Sequence, residues 1–128
     1  MSEVGHGAGA AALLYDEDCG FCRCALRAVL ARDRRRRLRP VAIQDPEAER
    51  LLAGMSEQQR MDSWHLVEGD GSRHAAGAAL APLLRMLPGG APLAAAAEAF
   101  PALAERGYRA VADRRSGLHR LLRRLGVC

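Results

Sequence analysis

Two cysteines three positions apart, in Cys19-Gly20-Phe21-Cys22, stand directly after the apolar run Ala10 to Leu14 and directly before a stretch with helical periodicity. Both thiols therefore fall where a strand hands over to a helix. At the opening of a helix, positions 19 and 22 lie about 60 degrees apart around the axis and one turn apart along it, within reach of a bridge. The first also meets unpaired backbone N–H groups, whose positive end of the helix dipole favours a thiolate. The chemistry this implies is thiol–disulfide exchange through a redox-active disulfide. Cys19 has the fewer packed neighbours and is the expected nucleophile. Cys22, on the buried face, is the expected resolving thiol. Cys24 lies about 200 degrees round from Cys22, so those two point apart, and Cys24 is a bystander or a contact on another face.

The surroundings modulate this reading. Asp16 orders the loop and relays a proton through water in the expected reaction, whereas the carboxylates of Asp16 and Asp18 together oppose a thiolate. A reducing or weakly poised pair is expected rather than a strong oxidant. Gly20 and Phe21 fill the intervening positions, with Phe21 shielding the disulfide from water.

The patterning supplies a scaffold. Ala11 to Tyr15 reads as a buried strand, and Cys22, Ala25, Leu26, Val29 and Leu30 form one apolar face of the helix that follows. Leu38 to Ile43 reads as a second strand, with Pro40 placing it at an edge. Asp45-Pro46-Glu47 is a helix start with a stop at Gly54. Ser63 to Glu68 and Arg73 to Ala76 flank Gly69-Asp70-Gly71-Ser72 as a hairpin. Within it Trp64 is placed near the active face, and His65 and His74 are placed on the surface. Gly77 to Leu87 is helical, and two or three further helical pieces follow from Ala91. Strand, helix, strand, helix, hairpin, helix is the thioredoxin-like order: an α/β fold with a central mixed sheet of about four strands.

At 128 residues and 49% apolar composition the chain is expected to form one domain with a hydrophobic core. The expected division is a flexible stretch over 1–10, the domain over 11–116 and an amphipathic Arg/Leu helical tail over 117–128. All 19 basic residues are Arg, a pattern read as codon bias in a GC-rich, bacterial genome. No basic n-region precedes the apolar start, and no run approaches the roughly 18 to 20 apolar residues of a membrane span. A cytoplasmic location follows as an expectation, and there a Cys-x-x-Cys is catalytic or metal-binding more often than a structural staple.

Competing readings are weaker. A zinc knuckle needs a second ligand pair, and Cys24, Cys128, His6, His65, His74 and His119 offer no matching spacing, so no metal and no cofactor are expected. Two buried cysteines placed by chance are the other bland reading. Arg32 to Arg39 reads as a solvated helix end rather than a phosphate-binding patch, and no nucleic acid is expected. The stripe of Leu118, Leu121, Leu122 and Leu125, opposed by Arg120, Arg123 and Arg124, is read as packing on its own domain, ahead of lying on an anionic membrane surface or docking a partner. Cys128 is a candidate for a mixed disulfide or for a swap with Cys19. Asp16-x-Asp18 after a strand is similar to the nucleophile loop of haloacid-dehalogenase-like phosphatases, but Cys19 stands where that family prefers Thr or Val, and the chain has no Lys.

With Asp16-x-x-Cys19-x-x-Cys22 after a strand, the chain resembles the DCC family of predicted thiol-disulfide oxidoreductases. Met61-x-x-Trp64-His65-Leu66-Val67, Asp70-Gly71 and Gly77-x-Ala79-Leu80 are similar to that family's hairpin and following helix, and Tyr108-Arg109-x-Val111-Ala112-x-Arg114 to its C-terminal segment. The resemblance covers about residues 11 to 116. It implies a thioredoxin-like fold and a disulfide reductase or isomerase role. Glu17 stands where the family often has Gly. Thioredoxins carry a cis-Pro before the third strand, a position that Met61 or Asp62 lines here. The expected partners are a protein or small-molecule thiol or disulfide and an electron-donor protein or low-molecular-weight thiol. The alternative is a non-catalytic interaction module that contacts an anion or nucleic acid through its Arg-rich face.

Overall fold

Strand β1, Ala11–Tyr15, is apolar at every position and nearly all of it is buried, as a strand covered on both faces requires. In the computed structural model, which describes residues 10–126, it is the second strand of a four-stranded sheet ordered β2-β1-β3-β4. β2, Leu38–Ala42, runs parallel to β1 with Leu13 opposite Pro40. β3, His65–Val67, runs antiparallel to β1 with Leu13 opposite Leu66, and β4, Arg73–Ala75, is antiparallel to β3. The sheet is mixed and flanked by helices, a thioredoxin-like α/β fold.

Alternation along β1 divides the core in two. Ala11 and Leu13 pack with Leu26 of α1 (Gly20–Arg32) and with Ala79 and Leu83, which lie in and just before α4 (Leu80–Met86). Ala12 and Leu14 pack on the other face with Val41, Ile43 and Val67, and with Ala48 of α2 (Pro46–Leu51) and Leu52. Leu13, Leu14, Leu38, Leu52 and Leu66 are fully buried, and each contributes about 1.5–3 kcal/mol by leaving water.

The helix boundaries follow local chemistry. Asp45 caps α2 through Glu47 N–H, and Pro46 takes the first turn. Asp33 ends α1 and is buried; its carboxylate accepts the N–H groups of Arg37 (3.0 Å) and Leu38 (2.9 Å), which turns the chain into β2. α3, Glu57–Met61, is an element the apolar periodicity does not signal; a capping box between Ser56 and Gln59 forms it. A 3-10 turn over Ala76–Ala79 leads into α4, and α5 (Ala91–Ala99), α6 (Pro101–Asp113) and α7 (Arg115–Arg124) complete the chain. α6 folds back on the turn at Gly77, where an added Cβ would stand 2.5 Å from Glu105 Cα. α7 packs along α1.

One expectation fails here. His65, placed on the hairpin surface by sequence, is buried, because β3 lies between β1 and β4 and α3 sits over this end of it; its Nε2 meets the Arg60 carbonyl at 2.9 Å. His74 is half-buried and pairs with Glu68 at 2.7 Å. The stretch expected to be flexible lies outside the described residues, apart from residue 10. Among the described residues no helix is long and apolar enough to cross a membrane.

Two outcomes test this architecture. Asp33→Ala leaves the buried Leu38 N–H and the part-buried Arg37 N–H without their acceptor and lowers stability by about 1–3 kcal/mol in urea unfolding. Burial lowers the His65 pKa below its ordinary 6.5, outweighing the Arg60 and Gln59 carbonyls and the Asp62 carboxylate. The unfolded chain therefore binds the extra proton first as pH falls. Stability is full above 6.5 and declines as pH drops from there towards the folded-state value, and this part of the slope disappears in His65→Gln.

Candidate active site

The end of β1 delivers the chain into a loop tied by its own carboxylates. Asp16 Oδ1 accepts the Asp18 N–H (2.9 Å) and Gln44 Nε2 (2.8 Å), while Gln44 Oε1 accepts the Glu17 N–H (3.2 Å). The Asp16 carbonyl accepts the Cys19 N–H at 3.2 Å, and Arg23 Nη1 donates to the Glu17 carbonyl at 2.6 Å. The loop after β1 is thus fastened to Gln44, just beyond β2, and to the first turns of α1. Asp18 is exposed, and its carboxylate reaches Gln44 Nε2 at 3.4 Å.

Cys19 caps α1. Its extended backbone precedes the helix, and its Sγ accepts the Cys22 N–H at 3.2 Å, the place usually taken by a Ser, Thr, Asp or Asn oxygen. Cys19 and Cys22 are free, half-buried thiols. Cys22 is pushed up to about 12, first by burial and then by the hydrogen bond to Cys19 and its negative charge, against the opposing pull of Arg115. Arg115 Nη1 stands 3.9 Å from Cys22 Sγ. Cys24 is buried on another face of α1 and is disulfide-bonded, with neither Cys19 nor Cys22 as its partner. Cys128 lies outside the described residues.

A cavity of about 310 Å³ opens beside Cys22, between α1, the segment before β3, and α6 with the start of α7. Asp16, Phe21, Cys22, Met61 and Trp64, all singled out from sequence, line it; Cys19, Asp18 and Gly20 do not. Met61 and Ser63, rather than Asp62, occupy the wall before β3, since Asp62 ends α3 and is exposed. Trp64 Nε1 donates to the Ala76 carbonyl (3.0 Å), and its ring stacks on Tyr108 with centroids 6.0 Å apart. The Tyr108 hydroxyl accepts the Trp64 N–H at 3.2 Å. Ala76 holds a left-handed backbone (φ 53°), a conformation that costs a non-glycine residue on the order of 1–3 kcal/mol. Burial raises the Tyr108 phenol.

Gly20 admits the C-terminal helix. A Cβ there would stand 2.3 Å from the His119 ring. His119 and Arg115 therefore approach the cysteines from a helix about 95 residues downstream, and neither was visible as a site residue in the sequence. Arg34 to Arg37 are exposed and precede β2, whose partner β1 runs parallel, so the run lies at the end of the sheet opposite the cysteines. Among the described residues no group of three or more His, Cys, Asp or Glu side chains could hold a metal ion.

The model of the DCC1-like thiol-disulfide oxidoreductase family matches residues 13–121. The chain belongs to that family. The match to DCC1-like proteins spans both cysteines and most of α7, the helix that brings Arg115 and His119 to the site. No curated protein and no solved structure matches the chain.

The raised Cys22 has a direct consequence in this DCC1-like site. Between pH 7 and 9 its alkylation by iodoacetamide, followed by mass spectrometry, rises about tenfold per pH unit, because only the thiolate reacts. Arg115→Met lowers that rate further, since the guanidinium favours the thiolate.

Proposed function

We propose that the chain is an enzyme that exchanges electrons between thiols and disulfides through Cys19 and Cys22. The observation that carries this is the Cys22 N–H held on Cys19 Sγ at the mouth of α1, which places two free thiols one helical turn apart. The Cys19 thiolate attacks one sulfur of a substrate disulfide, that S–S bond breaks, and the departing thiolate takes a proton from solvent. The product is a mixed disulfide on Cys19. Cys22 then loses its proton and attacks Cys19 Sγ, and the second substrate thiolate leaves and is protonated. The substrate gains two electrons and the Cys19–Cys22 pair is oxidised; an external dithiol or low-molecular-weight thiol resets it.

The elevated Cys22 suits the second role. A thiol pushed up to about 12 stays protonated at neutral pH and does not compete for the first attack. Formation of the mixed disulfide removes the Cys19 charge that helps hold it there, so Cys22 becomes easier to ionise when it is needed. Asp16 acts by fixing the loop, and its position on the cavity wall leaves it available to a water-borne proton.

Equilibration in graded dithiothreitol buffers followed by thiol trapping yields a reversible Cys19–Cys22 disulfide. Cys19→Ser abolishes disulfide reduction, and Cys22→Ser accumulates a mixed disulfide on Cys19 visible as a mass adduct. A Cys19–Cys22 disulfide that fails to form at every accessible potential would overturn the enzymatic reading and leave an interaction module on the same scaffold.

A further inference from the structure

The cavity beside Cys22 has a chemical character that the thiol pair alone does not explain. At about 310 Å³ it lies at the lower end of the roughly 300–1,000 Å³ typical of small-molecule sites. Its walls are mostly apolar side chains, among them Phe21, Ala25, Trp64, Val111 and Ala112. Two charged groups reach it. Asp16 is occupied, because its Oδ1 already accepts from Asp18 and Gln44. Arg115 is not: among the described residues it has no carboxylate partner, and its Nη1 stands 3.9 Å from the Cys22 sulfur. A guanidinium with no carboxylate partner at the edge of an apolar chamber, with the Cys22 thiol on the same wall and Cys19 Sγ held against the Cys22 N–H, matches a ligand with an apolar body and a single anionic group. Asp16 repels that anion from its own side and so fixes the orientation.

We infer that the cavity is the substrate pocket of the Cys19–Cys22 pair and selects small disulfides in which the group on the attacked sulfur is apolar, of aromatic size, and carries a carboxylate that pairs with Arg115. The inference rests on the oxidoreductase reading above and adds to it the class of substrate. α6 and the start of α7 form one side of the chamber, so selectivity comes from the C-terminal helices rather than from the Cys-x-x-Cys segment.

The test is single-turnover reduction by the fully reduced protein, followed in a stopped-flow instrument, with 4,4′-dithiodibenzoate, its uncharged diamide, and dithiodiglycolate, which keeps the carboxylates but has no apolar body. The dithiodibenzoate rate saturates, the diamide requires about tenfold higher concentration, and dithiodiglycolate stays linear in concentration. Arg115→Met closes the gap between acid and amide, and Arg115→Lys restores part of it. Ala112→Phe, which fills the chamber, raises half-saturation for both aryl disulfides. Equal half-saturation for acid and amide in the native protein, or an equal slowing of all three probes by Arg115→Met, would overturn the pocket assignment; the latter result would leave Arg115 acting only on the Cys22 thiol. Binding of biphenyl-4-carboxylate to Cys19→Ser, read by Trp64 fluorescence and lost in Arg115→Met, tests the pocket without any thiol chemistry. It keeps the two readings separable: an inert cysteine pair with intact binding refutes only the enzyme, and a working pair without binding refutes only the pocket.

Discussion

The hydrogen bond from the Cys22 N–H to Cys19 Sγ organises the protein twice over. It satisfies a backbone donor that would otherwise be unpaired at the start of α1, and it presents the sulfur at the end of β1 in a fixed position. Sulfur is a weaker acceptor than the oxygen of Ser or Asp, so the cap gives up some helix stability in placing a free thiol at this position. The Asp16 loop makes up the difference by bonding to Gln44 and by accepting the Cys19 N–H, so the thiol is located by the sheet as well as by the helix. Changing the oxidation state of Cys19 therefore changes the first turn of α1 at the same time.

Around that fixed point the C-terminal half of the chain is folded back by small residues. Gly20 allows the His119 ring to lie on the first turn of α1, and Gly77 allows Glu105 to approach the turn before α4, where its carboxylate accepts the Gly77 N–H at 2.9 Å. Between these two contacts Tyr108 stacks on Trp64, and the strained Ala76 carbonyl holds the indole. The chamber beside Cys22 exists because these contacts keep α6 and α7 from drifting away from the sheet. A thioredoxin-like core supplies the thiols, and the added helices supply the walls.

What the sequence made legible were features with a short-range cause. The apolar run of β1, the Cys-x-x-Cys at its end, Asp45-Pro46 before α2 and Pro40 in an edge strand each carry their reason within a few residues, and each is found where it was expected. α3 was missed because five residues without an apolar face show no periodicity, although Ser56 and Gln59 at capping-box spacing were a signal. Missing α3 also misplaced His65, which is buried beside it. Arg115 and His119 had no local sign at all. Their proximity to Cys22 and Gly20 is produced by the return of a helix across some 95 residues, a tertiary fact that periodicity does not encode.

The two outer strands have a further consequence for how the protein behaves among its neighbours. β2 contains Pro40, which removes one donor from the border of the sheet, and β4 is only three residues long and begins with the exposed Arg73. Neither border offers the long, flat, apolar ladder that lets one chain stack on the next. The sheet therefore ends where its own sequence ends it, with little free ladder left for another chain to extend.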